Sequence, residues 1–391
     1  MTYLTQERLL IRDQAREFAM REVLPIANQL DPVKGAIPMD LRHRMAEMGY
    51  FGIMLPEKYG GLGLGVFEYC LVAEELARAW MSVSSLIART NTIPGVAQMT
   101  EAQKERWLPM AARGEWIGAF AMSEPGVGSD IAGIKTRAEK DGDSWIITGS
   151  KYWCTFADGA DYIVVIARTA APDAPGRRHT GLSGFVVEKA RGVLPEGVSG
   201  APIPKIGYFG WNTFELFFDH VRVPASSMLG TEGDGFKLAT TTLEPARAHT
   251  AARSIGCARG ALEDSMVYAS ERQQFGTSIA NFQAIRFKIA QMATEIEAAR
   301  QLNYFVCDQL DQGSRCDLES SMSKFFAAEM AERVTSEGLQ IHGGAGYTTL
   351  HAVERYWRDA RLTKIFEGTS EIQQRIISDR LMGKADSGAI A

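Results

Sequence analysis

Between about residue 116 and residue 229 the chain changes texture, and that change limits the possible folds more than any other feature. Before it, apolar residues recur at helical spacing near 5–30, 38–50, 67–80 and 101–113; after Gly235 the same spacing returns and runs to about Met382. Inside it, short branched and aromatic runs such as Trp145-Ile146-Ile147-Thr148, Tyr162-Ile163-Val164-Val165-Ile166 and Phe214-Glu215-Leu216-Phe217-Phe218 alternate with turn residues, among them Asp141-Gly142 and Ala171-Pro172-Asp173. The expected architecture is therefore α+β and multidomain. A helical bundle over 1–115 precedes a central β-barrel or sandwich over 116–229, and a second helical bundle fills 230–391. Pro25, Pro32, Pro38 and Pro56 are expected to break the first helical part. The glycine-rich stretch Tyr59–Gly65 does not fit G-x-G-x-x-G, so a nicotinamide-binding Rossmann domain is not indicated.

Charge and cysteine usage exclude several classes. The formal net charge is −5 with no long single-sign block, which argues against nucleic acid or an anionic membrane as the main partner. No apolar run is long enough to span a bilayer, and the polar start Met1–Arg8 is neither a signal nor a transit peptide. Cys70, Cys154, Cys257, Cys307 and Cys316 are scattered and odd in number, as expected of reduced thiols in a cytoplasmic protein. The six histidines form no metal-binding pattern, and no metal is expected.

One carboxylate stands out. Glu367 lies in Ile365-Phe366-Glu367-Gly368-Thr369-Ser370-Glu371-Ile372-Gln373, beside a glycine and ahead of an amphipathic helix carrying Ile372, Ile376, Ile377 and Leu381. Ser370 with Gln373 three residues on has the form of a capping box, which starts the helix just after Glu367. A base beside the free N–H groups of a helix mouth can remove a proton next to a carbonyl while those donors hold the developing enolate. The alternative is an ordinary surface glutamate before a helix.

Five stretches, in order, decide between these readings. They are Met122-Ser123-Glu124-Pro125-Gly126-Val127-Gly128-Ser129-Asp130, Gly149-Ser150-Lys151-Tyr152-Trp153-Cys154-Thr155, Arg272-Gln273-Gln274-Phe275-Gly276, Gln340-Ile341-His342-Gly343-Gly344-Ala345-Gly346-Tyr347, and the Glu367 run. With them the chain resembles the FAD-dependent acyl-CoA dehydrogenases over essentially its whole length. The resemblance implies an N-terminal helical bundle, a central β domain and a C-terminal four-helix bundle. It implies that Met122 and Ser123 contact the isoalloxazine, that Trp153 and Thr155 close over it, and that Ser129 meets the CoA arm or the pyrophosphate. Arg272, Gln274 and Phe275, with Gln283 nearby, would reach the flavin of a neighbouring subunit. Gln340, Gly343 and Gly344 would form a second pyrophosphate-side contact, and Thr369 and Glu371 would complete the adenosine side. A homotetramer built as a dimer of dimers follows.

The same resemblance makes Glu367 the base that takes the α-proton of an acyl-CoA as the β-hydrogen leaves as hydride to flavin N5. Its backbone N–H and a flavin ribityl hydroxyl would hold the thioester oxygen, with Gly368 completing the turn. Relatives that carry the base on another helix have it where this chain has Ala246, which cannot act. Glu244 and Arg247 match residues that hold the CoA arm. Electrons would pass to an electron-transfer flavoprotein.

Two departures bear on the substrate. Phe209 and Trp211 stand where an arginine and a serine are common, and Arg253 stands where a small residue is common. Ala246, Thr250 and Arg253 share a helix face, His249 lies at its edge, and Arg89 ends a segment that resembles the family's pocket floor. Arg253, Arg89 or His249 would then meet a polar or carboxylate-bearing acyl chain of the glutaryl-, methylsuccinyl- or benzylsuccinyl-CoA kind. Otherwise Arg253 forms a structural ion pair with a protein carboxylate. The remaining alternatives are a straight- or branched-chain fatty acyl-CoA dehydrogenase, an O₂-using acyl-CoA oxidase, and a non-redox relative.

Overall fold

A computed structural model describes residues 3–241 and 243–383. The N-terminal part contains α1 (Gln6–Phe18), α2 (Leu24–Leu30), α3 (Met39–Glu47), α4 (Val66–Ala79), α5 (Met81–Asn91) and α6 (Glu101–Ala112). Pro25 does not break the first helix as expected. A π-helical turn over Ala19–Val23 lies between α1 and α2, so the hydrogen-bond register shifts just where the proline N–H is missing. Helix α4 is buried at every position except Glu68. Asp311, far along the chain, caps it: its carboxylate accepts the N–H of Val66 at 2.6 Å and of Phe67 at 3.1 Å. Gly65 is required there, since a Cβ would come within 2.5 Å of that carboxylate.

The central part is one mixed sheet. Its strands are β1 (Gly118–Ala121), β2 (Arg137–Asp141), β3 (Ser144–Thr155), β4 (Tyr162–Arg168), β5 (Leu182–Glu188), β6 (Val198–Pro202), β7 (Thr213–Pro224) and β8 (Met228–Leu229). They run in the order β6-β7-β3-β2-β4-β5-β8, with β1 parallel to β4. Strands β4 and β5 are buried along nearly their whole length. The β3–β7 register slips between Lys151 and Cys154, and Trp153 takes a left-handed φ of 61° at that bulge.

The C-terminal part contains α7 (Gly235–Thr241), α8 (Leu243–Glu271), α9 (Gln283–Asp311), α10 (Asp317–His342), α11 (Val353–Thr363) and α12 (Ser370–Met382). Helix α8 lies at the centre, packed on α10 and α9 on one side and on α4 on the other, so the two helical parts share one core. The five cysteines are buried and free. Among the described residues no helix is long and apolar enough to cross a membrane, and no cluster of His, Cys, Asp and Glu could hold a metal.

Candidate active site

The loop between α11 and α12 carries Glu367. The N–H groups of Ile365 and Phe366 both bond to Leu362 O, at 2.8 and 3.1 Å, and Ser370 N–H closes the loop onto Lys364 O at 2.9 Å. Within that closure Glu367 and Gly368 are consecutive left-handed residues, with φ of 53° and 87°. The capping box does not form as expected. Thr369 is the cap, accepting from Ile372 N–H at 3.3 Å, and Ser370 is already helical, its hydroxyl donating to Glu329 at 2.8 Å. Gln373 turns back instead and donates to Gly368 O at 3.0 Å, where Lys324 Nζ also donates at 2.6 Å. Glu367 N–H bonds to no described residue, so a donor stands free beside the carboxylate.

The carboxylate itself is engaged. Arg253 Nη2 donates to Oε1 at 2.6 Å and Thr250 Oγ1 donates to Oε2 at 2.6 Å, both from one face of α8. Arg253 is 1 % exposed; it also donates to Ser85 Oγ at 2.7 Å and to Thr250 Oγ1 at 2.9 Å, and lies 4.6 Å from the Phe366 ring centroid. The Glu367 side chain remains 32 % accessible, so the pair opens to one side. Burial pushes the Glu367 carboxyl up, but the charge of Arg253 and the bonds from Thr250 and Arg253 outweigh it and hold it below the usual carboxylate range. The partner of Arg253 is thus a protein carboxylate, and that carboxylate is Glu367.

Aromatic residues pack beside the loop. Tyr208 meets Trp211 and Phe366 edge-on, with centroids 5.2 and 5.9 Å apart, and Phe156 tilts against Trp211 at 5.6 Å. Arg89 lies 5.1 Å from the Trp211 ring centroid, has no hydrogen bond or ion pair to any described residue, and is near enough for its charge to lower the Glu367 carboxyl further. His249 is buried and stacked on Tyr69 at 4.6 Å; burial first, then the charge of Arg253, push its imidazole well below the usual range, so it is neutral. Its Nε2 and the Tyr69 hydroxyl have no partner. Of the expected CoA-arm residues, Glu244 accepts Cys316 N–H at 3.1 Å at the start of α10, and Arg247 is buried with Nε unpartnered.

A second group gathers on the central sheet. Met122 and Ser123 follow β1; Lys151 Nζ donates to Met122 O at 2.9 Å, and Tyr152 N–H donates to Ser123 O at 2.8 Å. Glu124 and Lys151 form a buried ion pair at 3.0 Å, and Glu124 also accepts the N–H of Lys135 and Thr136, at 2.9 and 2.8 Å. Both lie within the quoted motifs, yet only this geometry reveals that they brace the loop together. Burial pushes the Lys151 ammonium down to about 8, with Glu124 opposing it. Trp153 stands out from the bulge, 56 % exposed, and Thr155 Oγ1 lies 3.0 Å from Thr213 Oγ1. Ser129 is exposed, and a Cβ on Gly126 or Gly128 would meet nothing within 4 Å, so the loop backbone is open to a ligand. A projecting indole beside an open glycine loop fits a flat flavin ring and a phosphate-bearing arm.

Of the remaining expected contacts, two sets lie apart from both groups, while Thr369 and Glu371 directly follow the Glu367 loop. Arg272, Gln274 and Phe275 are exposed between α8 and α9, Phe275 at 95 % with φ 51°, and Gln283 is exposed at the first position of α9. Gln340, Gly343 and Gly344 are exposed at the end of α10, with nothing within 4 Å of a Cβ on either glycine. Thr369 is spent as the α12 cap and Glu371 is exposed on its first turn.

The chain is similar to known proteins over almost its whole length. Family models for the N-terminal, middle and C-terminal domains of acyl-CoA dehydrogenase match residues 5–115, 119–221 and 233–382. The chain is 41 % identical to (2S)-methylsuccinyl-CoA dehydrogenase of Cereibacter sphaeroides, over 97 % of this chain and 70 % of that one. It is 38 % identical to the caffeyl-CoA reductase–Etf complex subunit CarC of Acetobacterium woodii, over 98 % of this chain and all (100 %) of that one. The butyryl-CoA dehydrogenase structure from Megasphaera elsdenii superposes with a TM-score of 0.90 at 35 % identity, covering 97 % and 99 % of the two chains. The chain belongs to the acyl-CoA dehydrogenase family, whose members are FAD-dependent oxidoreductases.

Proposed function

We propose that the enzyme oxidises an acyl-CoA thioester to the trans-2-enoyl-CoA, with Glu367 as the base for the α-proton and an electron-transfer flavoprotein as electron acceptor. The observation that carries this reading is the Glu367 carboxylate, still 32 % accessible, set beside its own unpaired N–H on a left-handed loop next to aromatic side chains. That N–H would receive the thioester oxygen as negative charge builds there. Met122, Ser123, Trp153 and Thr155 would hold the ring of FAD, which supplies the hydride acceptor when bound. Ser129, Glu244 and Arg247 would border the CoA arm. The exposed Arg272–Phe275, Gln283 and Gln340–Gly344 group would serve a neighbouring subunit's FAD together with Thr369 and Glu371, in a dimer of dimers.

The acyl group we propose carries a carboxylate, as in methylsuccinyl- or glutaryl-CoA. Two arginines approach one glutamate; Arg253 is matched by Glu367, and Arg89 is left without a counter-ion. Arg89 is therefore the anchor for the substrate carboxylate. Arg253 orients the base, and His249, neutral and turned to Tyr69, is left to shape the floor. When the thioester covers the open side and excludes water, the Glu367 carboxylate loses its remaining solvation and becomes the stronger base.

Anaerobic flavin bleaching with butyryl-, octanoyl-, isovaleryl-, glutaryl- and methylsuccinyl-CoA tests both parts. Bleaching lost about 100-fold or more in Glu367→Gln is expected for a base. Arg89→Met is expected to raise KM for the carboxylated thioesters and leave the plain ones unchanged. Equal turnover of both classes in wild type and variant would sink the carboxylate assignment, and full bleaching by Glu367→Gln would sink the base.

A further inference from the structure

Lys324 is a buried cation for which the reaction above has no use. It lies on α10, fully buried, and makes no ion pair with any described carboxylate. Its one hydrogen bond goes to the carbonyl of Gly368, at 2.6 Å. A bare ammonium at such depth is costly, so its location calls for a reason other than stability. Burial pushes it down to about 8; of the charges facing it, Glu367 and Glu329 favour the ammonium, and Arg253 and Arg247 oppose it.

The carbonyl it holds belongs to the residue after the base. In a trans peptide C=O and N–H point in opposite directions. Drawing Gly368 O inward, with Gln373 Nε2 on the same oxygen at 3.0 Å, turns the Thr369 N–H the other way. It also restrains ψ of Gly368, the second of the two left-handed residues, at φ 53° and 87°, that carry the Glu367 side chain and its free N–H. Apart from Gln373, no described residue bonds to this carbonyl, and the backbone bonds of the loop close at Ile365, Phe366 and Ser370.

Resting on the assignment of Glu367 as the base, we infer that Lys324 is a positioning residue: its ammonium locks the Gly368 carbonyl, and so aims the base and its oxyanion donor and favours the anionic carboxylate from behind. Removing one charge-assisted bond of this kind is expected to lower the rate of flavin reduction about 10- to 100-fold.

The test is Lys324→Met and Lys324→Gln in the FAD-loaded enzyme. Three readouts are followed: flavin reduction against pH, KM, and the Glu367 carboxyl band in infrared difference spectra against Glu367→Gln. For Met we expect the stated loss in kcat, KM within about threefold, and the acid limb and carboxyl band both moved to higher pH. Gln keeps an N–H donor without the charge, so it should recover part of the rate and keep the displaced acid limb. A structural role would lower thermal stability and FAD content and leave the acid limb in place. That outcome overturns the inference, as does a folded Met variant with unchanged kcat. If Met does not fold, Gln decides by the same readouts. Bleaching retained in Glu367→Gln would instead overturn the base assignment, which separates the two failures.

Discussion

Removing Arg253 should uncouple the base from the helix that holds it. Arg253→Met deletes the guanidinium bonds to Glu367, Ser85 and Thr250, at 2.6, 2.7 and 2.9 Å, and its stacking on Phe366. Breaking a buried pair by removing one partner costs about 3–5 kcal/mol, because the other charge is left unmatched. Glu367 keeps 32 % of its side chain accessible and retains the Thr250 bond, so the loss belongs at the lower end, about 3 kcal/mol. Most of that should be shared with Glu367. In a double-mutant cycle with Glu367→Gln the coupling is expected to reach about 2 kcal/mol. A three-domain chain does not unfold in one step, so the readout is native-state hydrogen exchange of α8 amides around Thr250 and Arg253. The pH dependence has a definite sign. The folded carboxyl lies below its ordinary value, so the contribution is complete above about pH 4.3 and drains away as pH falls through the folded value. Coupling below about 0.5 kcal/mol at neutral pH, within the error of additivity, would show that the pair does not exist in solution. Coupling that grew on acidification would refute the electrostatic account.

Three further outcomes follow from single contacts. Gly368→Ala should cost about 1–2 kcal/mol for a left-handed alanine and slow flavin reduction without loss of FAD, since its Cβ would sit 2.5 Å from Gln373 Nε2; an unchanged rate would show that the turn need not be rigid. His249 must stay neutral in the fold and titrates near 6.5 when unfolded, so stability should fall as pH drops below about 6.5, and His249→Phe should flatten that slope in urea titrations between pH 8 and 5. Asp311→Ala removes the cap from α4 and should lower local stability by about 1–2 kcal/mol, read as faster exchange of the Val66 and Phe67 amides.

The order helix, sheet, helix was legible because the two periodicities differ and each is maintained over long runs. Where contrast fails, so does the reading. Helix α5 is buried nearly all round, its serines included, and shows no polar stripe to mark a period. Pro25 suggested a break because a proline removes an N–H, but a π turn can place that gap where no partner is needed. At the site, Glu367 before a helix was legible, while the cap fell one residue before its expected place, because Thr369 accepts Ile372 N–H and the Ser370 hydroxyl is taken up by Glu329. Thr250 and Arg253 on one face were legible from spacing. That the face meets Glu367 was not, because the partners are 117 and 114 residues away along the chain. Lys324 gave no signal at all, since a lone lysine in a helix ordinarily marks the solvent side.

Charge balance joins these contacts to the substrate. Arg253 and Arg89 act on Glu367 directly, and Lys324 stands behind its loop, facing Glu329 and Arg247 as well, with His249 neutral. In water these charges would be screened, but here two of the three cations are fully buried and the third lies against an indole. In the proposed proton abstraction the negative charge would move from Glu367 to the thioester oxygen, so the total near these cations would not change while Glu367 is neutralised. A pocket with surplus positive charge lowers the barrier to that transfer only if the charge stays close to where it started, which the adjacent Glu367 N–H ensures. In the proposed reading Arg253 offsets the base, Lys324 supports its loop, and Arg89 is left for a substrate carboxylate. A plain acyl chain would bury Arg89 without a partner, whereas a carboxylated chain would complete the balance. Specificity of this kind comes from the penalty on the wrong substrate as much as from attraction to the right one.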